Sequence, residues 1–109
     1  MIDNSFKNLD DCHTKLDTMF DFEDLRKIDT MSSEYDMDNI SCSCGRYLRN
    51  TFGLWGNNEL TSYLRKLGFT HADDMSQVIL YSYWHKRHGL ICDLNVYVEL
   101  FKKHWESMK

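Results

Sequence analysis

The chain has 109 residues, enough for one hydrophobic core and too few for two independent ones. Hydrophobic residues make up 42% and aromatics 14%, which supplies the apolar surface a fold needs and argues against wholesale disorder. The formal charge is −4 with a pI near 5.6, an awkward balance for a protein whose main partner is a polyphosphate.

There is no proline and there are five glycines, so the residues that punctuate short strands are scarce and long stretches are free to be helical. No apolar run approaches the roughly 18 to 20 residues a membrane span needs, and the first residues lack a basic region followed by an apolar one. A cytoplasmic protein with no membrane association is the expectation. Cys12, Cys42, Cys44 and Cys92 are read as reduced thiols, because a chain this rich in large apolar residues does not need disulfide staples. A Cys-x-Cys pair without a second spaced pair is a weak zinc signal, so neither metal nor cofactor is expected.

Charge is unevenly divided. Residues 1–40 carry 11 acids and 4 bases, whereas residues 41–109 carry 6 acids and 9 bases, and the simplest consequence is that the two parts attract each other in the folded chain. In the first part, Leu9, Cys12, Leu16 and Met19 with Phe20 recur at helical spacing behind Asn8, which predicts a helix over about 8–20. Asp21 caps a second, short helix whose buried face is Phe22, Leu25 and Ile28. A third helix is predicted over about Glu34–Thr51, with Met37, Ile40, Cys44, Tyr47, Leu48 and Thr51 inward and Arg46 and Arg49 off that stripe.

Gly53 to Asn58 then breaks the pattern and turns the chain, since glycine and asparagine favour positive φ. A fourth helix runs over about Glu59–Leu67 and stops at Gly68. The fifth opens at Asp73 and Asp74, presents Met75, Val78 and Ile79 inward, and ends at Gly89. Asp93 caps the last, with Val96, Tyr97, Leu100, Phe101 and Trp105 on its inner face. The expected fold is all-α, one compact domain of about six helices spanning 1–109: an acidic arm (1–35), a central part (about 36–89) and a C-terminal helix (about 93–107).

Two stretches, Arg49-Asn50-Thr51-Phe52-Gly53-Leu54-Trp55 and Leu67-Gly68-Phe69-Thr70-His71-Ala72-Asp73-Asp74-Met75-Ser76, resemble a small bacterial and phage domain family of unknown function. The resemblance covers roughly residues 36–89. In that family proline often stands at the position of Ala72 and histidine at that of Ser41, and the second departure weakens any histidine-centred site on the third helix. The resemblance identifies kin and implies no chemistry.

Three readings compete for these residues. As fold determinants, Arg49 pairs with Asp73 or Asp74, Asn50 satisfies loop amides, and Trp55 plugs the core. As a ligand pocket, Arg49, Asn50, Trp55, His71, Asp73 and Asp74 gather around a partner; the adjacent acids could hold a divalent cation with His71 as base, though capping the fifth helix is the simpler role for them. The third is the interleaved run Tyr81 to His88, where Trp84, His85, Arg87 and His88 could stack bases and hold phosphates. No G-x-S-x-G elbow, P-loop or G-x-G-x-x-G is present, and no enzymatic activity is expected. The leading expectation is a small acidic protein that binds a protein partner, as an inhibitor or immunity protein would. A nucleotide or nucleic-acid module is the alternative, and self-association is compatible with either.

Overall fold

The computed structural model describes residues 6–108, apart from the side chains of residues 41–46. Arg46, Cys42 and Cys44 therefore lie, as side chains, outside the described residues. Among those described, six α-helices and one 3-10 turn occur and strands do not: α1 (Leu9–Met19), α2 (Phe22–Thr30), the 3-10 turn (Glu34–Met37), α3 (Asp38–Thr51), α4 (Glu59–Leu67), α5 (Ala72–Arg87) and α6 (Leu94–Ser107). No helix among them is long and apolar enough to cross a membrane.

The helix boundaries follow from local chemistry. Asn8 caps α1 by accepting from the amide of Asp11 at 3.0 Å, and Asp21 caps α2 by accepting from that of Asp24 at 2.8 Å. At α4 a reciprocal box forms: Asn58 accepts from the Thr61 amide while Thr61 Oγ1 accepts from the Asn58 amide. Gly68 ends α4 at φ 116°, and a Cβ there would stand 2.8 Å from Val98 of α6, so glycine both frees the turn and lets α6 approach.

α5 is the centre of the molecule. Every residue from Asp74 to Trp84 is buried except Gln77, and the helix packs against α1, α2, the 3-10 turn, α3 and α6. A helix buried on nearly all sides has no amphipathic stripe, yet it carries Tyr81, Ser82, Tyr83 and Trp84, whose polar atoms need partners away from water.

Those partners come from the acidic first part of the chain. The Tyr83 hydroxyl donates to Asp17 at 2.7 Å, the Tyr81 hydroxyl to Asp38, and Trp84 Nε1 to the Met31 carbonyl at 3.3 Å. Arg87 grips both carboxylate oxygens of Asp29, at 2.8 and 2.6 Å. Glu34 accepts from the Tyr97 hydroxyl on α6 at 3.1 Å. The expected attraction between an acidic and a basic part is thus realised less as ion pairs than as carboxylates capping buried tyrosines.

Several inward assignments are corrected. Tyr47, Phe22, Val96 and Leu100 are exposed, and residues 34–37 form a separate 3-10 turn rather than the start of α3. For α2 and α6 the reason is thin packing: a helix touching the body along one narrow line buries Ile28, or Tyr97 and Phe101, and leaves the flanking apolar positions outside.

The different burial of α5 and α6 gives a direct check. Ile79→Ala should cost about 2–5 kcal/mol in urea denaturation, since it empties volume in a closed core, while Val96→Ala on the outer side of α6 should stay within about 0.5 kcal/mol.

Candidate functional site

Between α3 and α4 the chain makes a tight loop cross-bonded through Gly53, Leu54, Gly56 and Asn58. Gly53 takes φ 64°, and its amide donates to the Asn50 carbonyl at 3.2 Å while that of Leu54 donates to the Arg49 carbonyl at 2.9 Å. Asn58 Nδ2 donates to the Gly53 carbonyl at 3.0 Å, and Arg65 donates to Asn57 Oδ1 at 2.9 Å and to the Gly56 carbonyl at 3.3 Å. A Cβ on Gly53 would sit 2.9 Å from Asn58 Nδ2, so the closure demands glycine there.

Such a loop holds its side chains in fixed directions. Phe52 and Leu54 point into the core, Phe52 meeting Phe6 edge-on at 4.8 Å between ring centroids, and Trp55 points out with 65% of its surface exposed. This overturns the expectation that Trp55 plugs the core: Leu54 does so, and the neighbouring tryptophan is turned to solvent. Asn50 is exposed as well, and it is Asn58 that bonds the loop carbonyls.

Arg49 lies with its guanidinium carbon 5.4 Å from the centre of the Trp55 ring and its Nη1 3.4 Å from Asp73 Oδ1. The expected pairing with Asp73 is present. It is a long, partly exposed contact, worth at most about 1 kcal/mol, and the cation over the ring adds roughly 0.5–1 kcal/mol. Arg49 Nε is buried with no hydrogen-bond partner, so the guanidinium is not fully engaged by the protein around it. Arg49, Trp55 and Asp73 therefore come together at the surface, on a stiff loop and the start of α5.

His71 and Asp74 belong elsewhere. His71 is stacked on Trp105 with centroids 3.9 Å apart, and Asp74 accepts from Trp105 Nε1 at 2.7 Å. Asp74 is buried and does not cap α5, whose N-cap residue His71 makes no side-chain cap bond. Burial pushes the Asp74 carboxyl above the usual range, partly offset by the bond from Trp105. Their role is to seat α6. Asp73 and Asp74 have different bonding partners, Arg49 and Trp105, while both border one depression against α6, and they belong to no group of three or more ligand-type side chains, among the described residues, that could hold a metal ion.

The aromatic and basic run on α5 is not a stacking surface. Tyr81, Tyr83 and Trp84 are buried, Trp84 is stacked on His88 at 4.1 Å, His88 Nε2 bonds the Ile28 carbonyl, and Arg87 is held by Asp29. His85 is half-buried and donates from Nδ1 to the Tyr81 carbonyl at 2.9 Å. The periodicity of the run was legible; its enclosure by the acidic arm was not.

One buried polar pair escaped sequence reasoning: His13 on α1 and Ser82 on α5, with Nε2 and Oγ 2.8 Å apart, both lining a cavity of about 480 Å³. His13 Nδ1 is buried without a partner. The pair lies 69 positions apart in the chain, and no local spacing announces it.

A family model described as a domain of unknown function, DUF6794, matches residues 7–87. The matched span includes α1 and α2, which the resemblance at the two motif stretches had left aside, and stops at the end of α5. No curated protein and no solved structure matches the chain.

Burial lowers the His13 pKa from 6.5 to about 4, with nearby Lys86 acting in the same sense. Because the folded value lies below the unfolded one, His13 contributes nothing to pH dependence above about pH 6.5. As pH falls from there towards 4, the unfolded chain takes up a proton that the folded chain refuses, and stability drops. Wild type should lose about 2–3 kcal/mol more than His13→Leu between pH 7 and 4.5 in urea denaturation, the contribution of Asp74 being common to both. Equal losses in the two proteins would contradict the assignment.

Proposed function

We propose that this chain, which belongs to the DUF6794 family, is a protein-binding domain whose anchor is Trp55, presented with Arg49 on the locked loop between α3 and α4. The observation that carries this reading is the conjunction of rigidity and exposure. A large aromatic is turned to solvent by a loop whose glycine, asparagine and arginine bonds fix it there, when the chain could have buried it as it buries Leu54. Tryptophan and arginine are the side chains that most often dominate binding energy, and a rigid anchor loses little entropy on association.

The matching partner surface is an apolar pocket with a carboxylate or carbonyl oxygen at its rim. The pocket takes the indole and the oxygen takes the guanidinium that Asp73 only partly engages. Within this class we favour an inhibitor or immunity-type role in a bacterium or phage, since a small domain that blocks a target needs little beyond one rigid anchor. The acidic first part of the chain, residues 1–40, contributes less than its charge implies, because Asp17, Asp29, Glu34 and Asp38 are engaged with other residues of the molecule. The nucleic-acid alternative loses its support with the burial of Tyr81, Tyr83 and Trp84.

Trp55→Ala and Arg49→Ala are the discriminating variants. Trp55→Ala should keep unfolding free energy within about 1 kcal/mol of wild type and Arg49→Ala within about 2 kcal/mol, and Trp55→Ala should weaken capture of the protein partner from bacterial lysate by at least about tenfold. A loss of about 3 kcal/mol or more in Trp55→Ala would mark a core residue, and unchanged capture would remove the loop from the interface.

A further inference from the structure

The cavity lined by His13 and Ser82 lies between the start of α1 and the C-terminal half of α5, with Tyr63 of α4 and Leu94 of α6 in its wall. It is open to solvent, with Asp10, Lys86 and Leu90 exposed along its rim, and its volume of about 480 Å³ falls in the range of small-molecule sites. Leu9, Leu90 and Leu94 give it an apolar lining, and the polar groups are of two kinds.

The first kind is interior. His13 is only 5% exposed, Ser82 likewise is buried, and Ser82 Oγ donates to the Ile79 carbonyl at 3.1 Å, which leaves the Oγ to accept from His13 Nε2. Nδ1 of His13 is then a buried acceptor with no partner. His13, which lines the cavity, thus carries one buried, unpartnered acceptor.

The second kind is charged. Asp10 and Lys86 both line the cavity, and neither forms an ion pair with the other or with any described residue. His85, whose Nδ1–H is taken by the Tyr81 carbonyl, also lines the cavity. The cavity thus offers one anion and one cation, unpaired and more than 4 Å apart, beside an apolar wall.

We propose that this cavity binds a small zwitterion with an apolar body, a free hydrophobic amino acid being the simplest member of the class. Its ammonium group is received by Asp10, its carboxylate by Lys86, and its side chain by Leu9, Leu90 and Leu94. The site binds and does not react: the Ser82 hydroxyl proton is directed at a backbone carbonyl, and burial holds the Cys92 thiol protonated, with its pKa raised to about 11. The site is separate from the Trp55 loop, and either stands if the other fails.

The probe is L-phenylalanine, titrated into the ¹⁵N-labelled full chain and followed by amide shifts, with N-acetyl-L-phenylalanine lacking the cation and L-phenylalaninamide lacking the anion as controls. Saturable shifts around His13, Ser82 and Lys86 are expected, with both analogues and the surface variants Asp10→Asn and Lys86→Met at least about tenfold weaker. Circular dichroism melting checks that the two variants remain folded. The proposal is overturned by the absence of saturable shifts up to about 10 mM L-phenylalanine, by an analogue that binds as well as the parent, or by variants that bind as wild type does.

Discussion

The structure depends on one constraint: α5 is a polar-tipped helix placed in the middle of an apolar core. Tyr81, Ser82, Tyr83 and Trp84 are all buried, and each brings a hydroxyl or indole N–H that cannot be left unbonded. Asp38, Asp17 and the Met31 carbonyl accept from Tyr81, Tyr83 and Trp84, and the Ser82 hydroxyl donates to the Ile79 carbonyl while accepting from His13. The acidic arm is consequently an integral wall of the fold, in keeping with a family match that begins at residue 7. It also accounts for the charge asymmetry, with the carboxylates near buried tyrosines raising those hydroxyl pKa values further above the ordinary range that burial has already left behind.

This organisation separates the surfaces by task. The arm and α5 are engaged with one another, and α6 is seated through Trp105 on His71 and Asp74. The loop after α3 displays Trp55, and Tyr47 of α3 is exposed as well. The two stretches that carried the family resemblance therefore do different work. The second, from Leu67 to Ser76, closes α4 at Gly68, opens α5 and receives α6. The first turns the chain and exposes Trp55.

Helix positions were readable because they rest on local chemistry: Asn8, Asp21, Asn58 and Asp93 cap as their types predict, and Gly68 and Gly89 take the positive φ that stops a helix. The Arg49–Asp73 pair was readable too, from opposite charges on neighbouring elements. Direction at the Leu54-Trp55 step was not, because hydrophobicity alone favours burying the larger residue. The outcome is set instead by the backbone path that Gly53 and Asn58 impose. The run from Tyr81 to His88 misled for a related reason. Its composition matches a stacking surface, and only the fold shows that α1, α2 and the 3-10 turn cover it. His13 and Ser82 carried no sequence signal beyond an isolated polar residue on each helix.

The central claim is that Trp55 is exposed and held still at once, two properties that rarely coincide in a loop. Backbone ¹⁵N relaxation across residues 52–58 tests this most directly. The bonding of Gly53, Gly56 and Asn58 predicts order parameters of about 0.85, equal to those of α4 and α5, together with a Trp55 indole proton that exchanges freely with water. Order parameters below about 0.6 through the loop, or an indole proton protected as strongly as that of Trp84, would contradict it.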